Sequence, residues 1–267
     1  MTDDLPAIGL GTSGNADPDQ CAASVEAALE IGYRHIDTAQ MYDNERAVGR
    51  GIAAAAVDRD DVWLATKIHP TNLAPEAVRR TFAESLERLD VESVDMLYVH
   101  WPTKAYDPEA TLPAFDELYA EGLVDHVCVS NFTSTLLDEA REILEAPVLA
   151  NQVEMHPLLP QTELVEYARE HDLHLVAYSP LGRGEILDHP VLNEVADEHD
   201  ATPAQVSLAW LLEHDRVVPI PKATGRGHLR ENLAARDLAL DDSAIDRIDA
   251  IEDRKRVIVP DENPWGL

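Results

Sequence analysis

Short apolar segments recur along the whole chain about 30 residues apart, which is the length of a strand–helix–strand unit. The segment over residues 62–67 is representative, because it is apolar without the period-two alternation of a strand that has one face in water. Unbroken apolar strands are characteristic of a parallel sheet that is covered on both faces. The pattern predicts eight parallel strands, over residues 7–10, 33–37, 62–67, 95–100, 124–130, 147–152, 173–179 and 217–221.

Segments with helical periodicity lie between these strands and carry residues that start and end helices. Asp17 and Pro18 supply an N-cap and a first-turn proline, and Gly32 closes the same helix. Thr202 and Gln205 have the spacing of a capping box. The predicted helices cover residues 21–31, 75–89, 108–121, 135–144, 161–171, 202–213 and 242–251.

This alternation predicts an α/β fold, a single (β/α)8 TIM barrel that spans residues 1–267 as one domain. A doubly wound open sheet is the alternative for the same pattern. No Gly/Ser-rich linker and no internal repeat divides the sequence. Because barrels of this kind carry their chemistry at the C-terminal ends of the strands, the polar residues at those positions are the candidates for function.

The charge balance excludes whole classes of partner. The chain has 51 acidic and 21 basic residues, for a formal net charge of −30. We therefore expect binding neither to nucleic acid nor to an anionic membrane, since both require clusters of Lys and Arg. The sequence begins without the pattern of a secretory signal peptide and contains two cysteines, Cys21 and Cys128. These features favour a cytoplasmic location.

The basic residues are unevenly distributed between the two types. Only four of the 21 are lysines, and the rest are arginines. One hypothesis is adaptation to a concentrated salt cytoplasm, where repulsion among carboxylates is screened within about 3 Å at 1 M. An ordinary acidic surface is the alternative. The first hypothesis predicts a marked loss of stability in dilute buffer.

Four residues at the predicted strand ends suit proton transfer to an alkoxide. The phenol of Tyr42 has an ordinary pKa near 10, and an ammonium at Lys67 would lower it by stabilising the phenolate. Asp37 would hold the lysine charged, and His100 would hydrogen-bond a substrate carbonyl. The four contain no strong nucleophile paired with a base, which argues against acyl transfer.

Around these residues the chain resembles the aldo-keto reductase family. The resemblance rests on segments in the family's order, which together cover nearly the whole chain. They are residues 32–39 with Tyr42, Asn44 and Glu45, then residues 66–67, 99–102, 129–132, 152–157, 178–182 and 220–222.

The resemblance implies hydride transfer between a nicotinamide cofactor and a carbonyl, with neither metal nor flavin. Tyr42 would be the general acid, supported by Lys67, Asp37 and His100. The nicotinamide would be held by Ser130, Asn131 and Gln152 and stacked on Tyr178. The remaining cofactor-binding residues that it implies are Ser179, Leu181, Gly182, Lys222, Thr224, His228, Glu231 and Asn232.

Two departures from the family pattern bear on the choice of cofactor. Ala223 and His228 stand where many relatives have Ser or Thr and an Arg that faces the 2′-phosphate. Arg226, Thr224 or Arg230 could substitute, since a guanidinium one turn away still pairs with phosphate. We favour NADP(H) and keep NAD(H) open.

Other expectations concern the ends of the chain and the substrate. The N-terminal hairpin of the family is shortened or absent, and the protein is expected to be a monomer. The apolar walls of the pocket for a small carbonyl substrate are predicted to be Trp101, Phe132 and Trp265.

Two further functions remain as alternatives. A non-catalytic, cofactor-binding barrel that senses redox state is one, although retention of all four candidate catalytic residues favours an enzyme. A metal-dependent barrel hydrolase is the other, because His35, His69, His100 and His156 are potential ligands. The first predicted strand ends without a His-x-His pair, which disfavours metal.

Overall fold

Eight parallel strands follow one another in sequence order around a closed barrel in the computed structural model, which describes residues 5–260 and 265. Each strand pairs with the next from β1 to β8. The backbone N–H groups of Gly9 and Gly11 donate to the carbonyls of Pro219 and Pro221 and close the circle. The strands are β1 Leu10–Gly11, β2 His35–Asp37, β3 Trp63–Ile68, β4 Val94–Val99, β5 Val124–Ser130, β6 Val148–Glu154, β7 His174–Tyr178 and β8 Val217–Pro219.

Helices surround the strands, and the predicted helix ends are confirmed where their capping residues were identified. The Asp17 carboxylate accepts hydrogen bonds from the N–H groups of Asp19 and Gln20, and Gly32 ends that helix. Thr202 and Gln205 form the expected capping box. The helices are α1 Pro18–Ile31, α2 Glu45–Ala54, α3 Pro75–Leu89, α4 Pro108–Ala120, α5 Ser134–Ile143, α6 Thr162–His171, α7 Pro190–Glu198, α8 Pro203–Leu212, α9 Arg226–Ala234 and α10 Asp242–Asp249.

Three of these helices, α2, α7 and α9, are absent from the prediction. Helix α2 contains Gly49 and Gly51, and α9 contains Gly227, so their local propensity is low. The first strand is also shorter than expected and begins at Leu10 instead of residue 7. Packing against the barrel, which sequence periodicity does not report, stabilises these helices.

The side chains inside the barrel form a cluster separate from the larger core between strands and helices. Leu5 packs against this inner cluster, and the described residues before β1 form no hairpin. Residues 1–4 lie outside the described part of the chain. Among the described residues, no helix combines the length and apolarity needed to cross a membrane. The inner cluster comprises Ala65, Met96, Tyr98, Cys128, Leu149, Ala150, Val176, Val218 and Ile220.

Two glycines allow α2 to approach its neighbours closely. A Cβ on Gly49 would overlap the backbone carbonyl of Leu89 at the end of α3. A Cβ on Gly51 would lie 2.6 Å from the carbonyl oxygen of Ala22 in α1. Both clashes involve backbone atoms, so neither is relieved by a side-chain rotation.

We expect Gly49→Ala to lower the free energy of unfolding by about 1–3 kcal/mol or more, the usual cost of overpacking. Gly227→Ala is the matched control, because a Cβ on Gly227 meets no atom within 4 Å. That control should gain up to about 1 kcal/mol from helix propensity. Urea unfolding of both variants measures the difference, and equal effects would contradict the close-packing assignment.

Candidate active site

A cavity of about 700 Å³ opens at the C-terminal ends of the strands. It is wide enough for a cofactor and a small substrate together. Residues from the ends of β2, β4, β5, β6 and β7 and from the segment after β8 line it. The predicted site residues on its wall are Asp37, Tyr42, His100, Trp101, Ser130, Asn131, Gln152, Tyr178, Ser179, Leu181 and Lys222.

Asp37 and Lys67 form a buried ion pair below the cavity. The Lys67 Nζ donates to Asp37 Oδ1 at 2.5 Å and to the backbone carbonyl of Thr38 at 2.8 Å. The second carboxylate oxygen of Asp37 accepts from Gln152 Nε2 at 2.8 Å. Burial lowers the pKa of Lys67, and the neighbouring Asp37 opposes that shift. The carboxylate therefore holds the ammonium both in place and charged.

Tyr42 lies on a single turn of 3-10 helix, Gln40–Tyr42, that follows β2. Its ring centroid is 5.1 Å from Lys67 Nζ, and its ring meets that of His100 edge-on at 5.7 Å. Burial, reinforced by Asp37, raises the pKa of Tyr42, while a hydrogen bond with the Ser13 side chain acts in the opposite direction. The net shift is therefore upward, and the effect of Lys67 on the phenolate stays a prediction. The phenol is protonated at neutral pH.

His100 directly follows β4 and is buried at the cavity wall. Burial lowers its pKa well below the ordinary value, and the charges of Lys67 and His69 add to this shift. The imidazole is therefore neutral at physiological pH. Its Nδ1 is buried and has no hydrogen-bond partner among the described residues. A neutral imidazole of this kind can donate a hydrogen bond to a carbonyl oxygen without becoming an acid itself.

A hydrogen-bond network orders the polar residues on the opposite side of the cavity. Ser130 Oγ donates to the backbone carbonyl of Gln152 at 2.9 Å. Asn131 Nδ2 donates to Ser130 Oγ at 3.0 Å and to the carbonyl of His100 at 3.1 Å. The Tyr178 hydroxyl donates to Asn131 Oδ1 at 2.9 Å. The network fixes the Tyr178 ring beside the amide groups.

The loop after β7 forms the far end of the cavity. Ser179 has a positive φ of 47°, and Gly184 has one of 90°. A Cβ on Gly184 or on Gly14 would meet no atom within 4 Å, so both positions add free space beside the cavity. Arg183, in this loop, and Lys222, after β8, contribute two positive charges to the cavity wall.

Five of the predicted cofactor-binding residues are not on the cavity wall, namely Gly182, Thr224, His228, Glu231 and Asn232. Glu231 Oε1 accepts from Thr202 Oγ1 at 2.7 Å, and the His228 side chain, 80 % exposed, lies 3.6 Å from Glu231. Asn232 is buried, and the carbonyl of Thr224 accepts from Ser24 Oγ at 3.3 Å. Gly182 is also buried, next to the wall residue Leu181. Their roles with a cofactor stay predictions.

Of the three predicted apolar walls, only Trp101 lines the main cavity. Phe132 is fully buried and packs edge-on against Tyr106 at 5.6 Å. It lines a second cavity of about 250 Å³, together with Trp265. The structure therefore places Phe132 and Trp265 on the second cavity, and their role as walls of the substrate pocket stays a prediction. Trp265 contacts Trp101 at 5.5 Å, so the two cavities adjoin at this pair.

Several wall residues were not predicted from the sequence. Ser13, Met41 and Ile258 line the main cavity, as does Arg183 in its glycine-flanked turn. The glycines on either side of Arg183 were the one sequence feature that pointed to a wall residue. Two glycines alone are weak evidence for a binding loop. Ile258 belongs to the segment after α10, whose path over the barrel mouth is decided by tertiary contacts.

Comparisons with known proteins agree with this arrangement. The profile of the Aldo/keto reductase family matches residues 7–253. This chain belongs to that family. A 9,11-endoperoxide prostaglandin H2 reductase of Trypanosoma cruzi is 40 % identical over 181 residues, which cover 68 % of this chain and 64 % of that protein. The aligned part is thus less than two thirds of the trypanosome protein.

Two other comparisons bear on the aldo-keto reductase site. Methylglyoxal reductase DkgB of Salmonella typhi is 39 % identical over 184 residues, covering 68 % of each chain. A crystal structure of a Bombyx mori aldo-keto reductase in complex with NADP superposes with a TM-score of 0.89 at 28 % identity. That superposition covers 96 % of this chain and 92 % of the silkworm chain.

The cavity of this aldo-keto reductase has the chemistry that a nicotinamide dinucleotide requires. Amide and hydroxyl groups suit a carboxamide, Tyr178 offers an aromatic face, and the open glycine positions beside Arg183 and Lys222 suit phosphates. Among the described residues, no group of three or more His, Cys, Asp or Glu side chains could hold a metal ion. His156, one of the four histidines considered above, lies 3.2 Å from the Glu154 carboxylate.

Double-mutant analysis tests the buried ion pair. Lys67→Met and Asp37→Asn should each destabilise the protein by about 3–5 kcal/mol, because each leaves an uncompensated buried charge. The double variant should lose less free energy of unfolding than the sum of the losses in the two single variants. Urea unfolding measures all three, and additive losses would show that the two charges do not depend on each other.

Proposed function

We propose that this aldo-keto reductase reduces small aldehydes or ketones to alcohols, with NADP(H) favoured as the hydride donor. One observation carries the proposal. A protonated, half-buried Tyr42 lies at the cavity wall beside neutral His100 and the ammonium of Lys67. This set provides a proton donor, a hydrogen-bond donor and a positive charge at one place.

The residues then have separate tasks in the reaction. A reduced nicotinamide, when bound, supplies a hydride for the carbonyl carbon. Tyr42 Oη donates a proton to the carbonyl oxygen as negative charge develops there, and His100 hydrogen-bonds the same oxygen. Lys67 stabilises the phenolate that this step leaves on Tyr42, and Asp37 keeps the lysine positioned. Ser130, Asn131 and Gln152 would hold the carboxamide of the nicotinamide.

The preference for NADP(H) rests on the positive end of the cavity. Lys222 lines it, whereas Arg226 is engaged by Glu30 in an exposed ion pair. His228, in the place of the family's arginine, is exposed and lies 3.6 Å from Glu231. The silkworm relative with bound NADP supports the same preference. Use of NAD(H) remains open under this proposal.

The names of the relatives indicate the class of carbonyl substrate. Their names include methylglyoxal reductase and the Bacillus subtilis glyoxal reductase, which is 37 % identical over 182 residues, covering 68 % of this chain and 66 % of that protein. These names support small reactive carbonyl compounds as substrates. We also propose that the protein is a cytoplasmic monomer, as expected from its charge and composition.

The redox-sensing barrel is the second candidate. It requires the cofactor but not the proton-donating residues. A binding module could lose Tyr42 or His100 without penalty, so the presence of both on one wall favours the enzyme.

The experiment is a titration with NADPH and NADH, each followed by quenching of tryptophan fluorescence, and then addition of an aldehyde panel. It is run in dilute buffer and in molar KCl, because the proposed salt adaptation predicts a folded enzyme only at high salt. Binding followed by loss of reduced-cofactor absorbance supports the reductase. Binding without turnover supports the sensor, and no binding at either salt concentration contradicts both.

Tyr42→Phe should lower turnover by about 100-fold or more while cofactor binding is retained, because a general acid contributes about that much. Tyr119→Phe, at an exposed tyrosine on α4, is the matched control and should match the wild type. Steady-state kinetics with one aldehyde measures both variants. Wild-type turnover in Tyr42→Phe would remove Tyr42 as the acid.

Lys222→Ala should weaken binding of NADPH more than that of NADH, since only NADPH carries the 2′-phosphate. The ratio of the two dissociation constants, measured by fluorescence titration, reports this difference directly. NADH serves as the internal control for folding of the variant. Equal weakening of both cofactors would exclude a role at the 2′-phosphate.

A further inference from the structure

The segment after α10 is held against the barrel mouth by a buried carboxylate. Glu154, the last residue of β6, is fully buried and accepts from the backbone N–H groups of Val257 at 2.6 Å and Ile258 at 2.9 Å. The backbone N–H of Lys255 donates to the carbonyl of Leu158 at 2.9 Å. These contacts determine the path of residues 255–258.

This path places Arg256 where the two cavities adjoin. Ile258, two residues later, lines the main cavity, whereas Arg256 and Trp265 line the second. The guanidinium carbon of Arg256 lies 3.9 Å from the centroid of the Trp265 ring, which in turn contacts Trp101 on the main cavity wall. The aromatic ring therefore holds the guanidinium next to the Trp101 wall of the main cavity.

The electrostatic effect of Arg256 reaches the main cavity. Burial raises the pKa of Tyr178, Glu154 reinforces that shift, and Arg256 opposes it. The positive side chains on the main cavity wall itself are Arg183 and Lys222, which we assign to the phosphates of a cofactor. Arg256 is thus available to interact with a substrate.

The guanidinium is also incompletely paired. The chain has 51 acidic residues, yet no carboxylate within residues 5–260 forms an ion pair with Arg256. Its Nη1 is buried without a hydrogen-bond partner among these residues, which is costly for a charged donor. Glu163, the carboxylate on the second cavity wall, accepts instead from Ser134 Oγ at 2.5 Å.

We propose that Arg256 is a specificity-determining residue that binds a carboxylate on the substrate, so that carbonyl compounds bearing a carboxylate are preferred over neutral ones. The inference rests on the proposed reductase function. A planar guanidinium offers two parallel N–H donors to a carboxylate, and stacking on Trp265 fixes its orientation in advance. Glu154 acts as a positioning residue, since its bonds to the backbone hold Arg256 in place.

The test compares two aldehydes of nearly the same shape, 4-carboxybenzaldehyde and the neutral 4-nitrobenzaldehyde. Arg256→Met should lower kcat/KM for 4-carboxybenzaldehyde by about 10- to 100-fold, because that is the contribution of a charged hydrogen bond. Most of this loss should be a rise in KM. It should change kcat/KM for the nitro compound less than twofold. Arg256→Lys, which keeps the charge but loses the planar pair of donors, should recover only part of the preference.

Arg254→Met is the matched control, because it removes the same charge two residues earlier on an exposed side chain that lines neither cavity. This control should leave the ratio of the two kcat/KM values unchanged. The carboxylate preference of the wild type should also shrink as KCl is raised, since salt screens the contact. The assay therefore uses the lowest KCl concentration at which the wild type stays folded.

Two results separate this inference from the proposed function. If the wild type reduces both aldehydes and Arg256→Met leaves their ratio unchanged, the reductase stands and the carboxylate contact is wrong. An equal loss on both aldehydes gives Arg256 a structural role only, which also overturns the inference. If the wild type reduces neither aldehyde with either cofactor, the proposed function fails and this inference fails with it.

Discussion

The site depends on a charged lysine that stays buried inside the barrel mouth. A lysine there is costly unless a carboxylate lies beside it, and Asp37 meets that need with Oδ1 while Oδ2 accepts from Gln152. The one carboxylate therefore couples β2, β3 and β6. Because Tyr42 packs against the same ammonium, the proton donor and the polar side of the cavity share one electrostatic anchor.

Burial also decides the protonation states at this site. It raises the pKa of Tyr42 and lowers that of His100, so both side chains are neutral when a carbonyl arrives. A neutral phenol still carries a proton that it can donate, and a neutral imidazole can donate a hydrogen bond. The adjacent ammonium matters most after the proton has left, when a phenolate must be stabilised.

Sequence reasoning predicted the strands and strand-end residues well because both have local signals. The apolar runs of β3 and β5 are visible in the sequence, and Asp37 and His100 stand at strand ends where parallel topology brings them together. The Gly-containing helix α2 was missed, because its stability comes from close packing against neighbouring helices. Phe132 was predicted to line the substrate pocket, and in the structure it lines the second cavity instead of the main one.

The sequence by itself determined the alternation of strands and helices and the polar residues at the strand ends, since these follow from local periodicity. The structure decided for a closed barrel over an open sheet, because β1 and β8 meet. Only the tertiary structure decided the pKa direction of Tyr42, the division into two cavities and the position of Arg256. Burial depends on every element packed around a group. The path of residues 255–258 depends on Glu154, about 100 residues earlier in the chain.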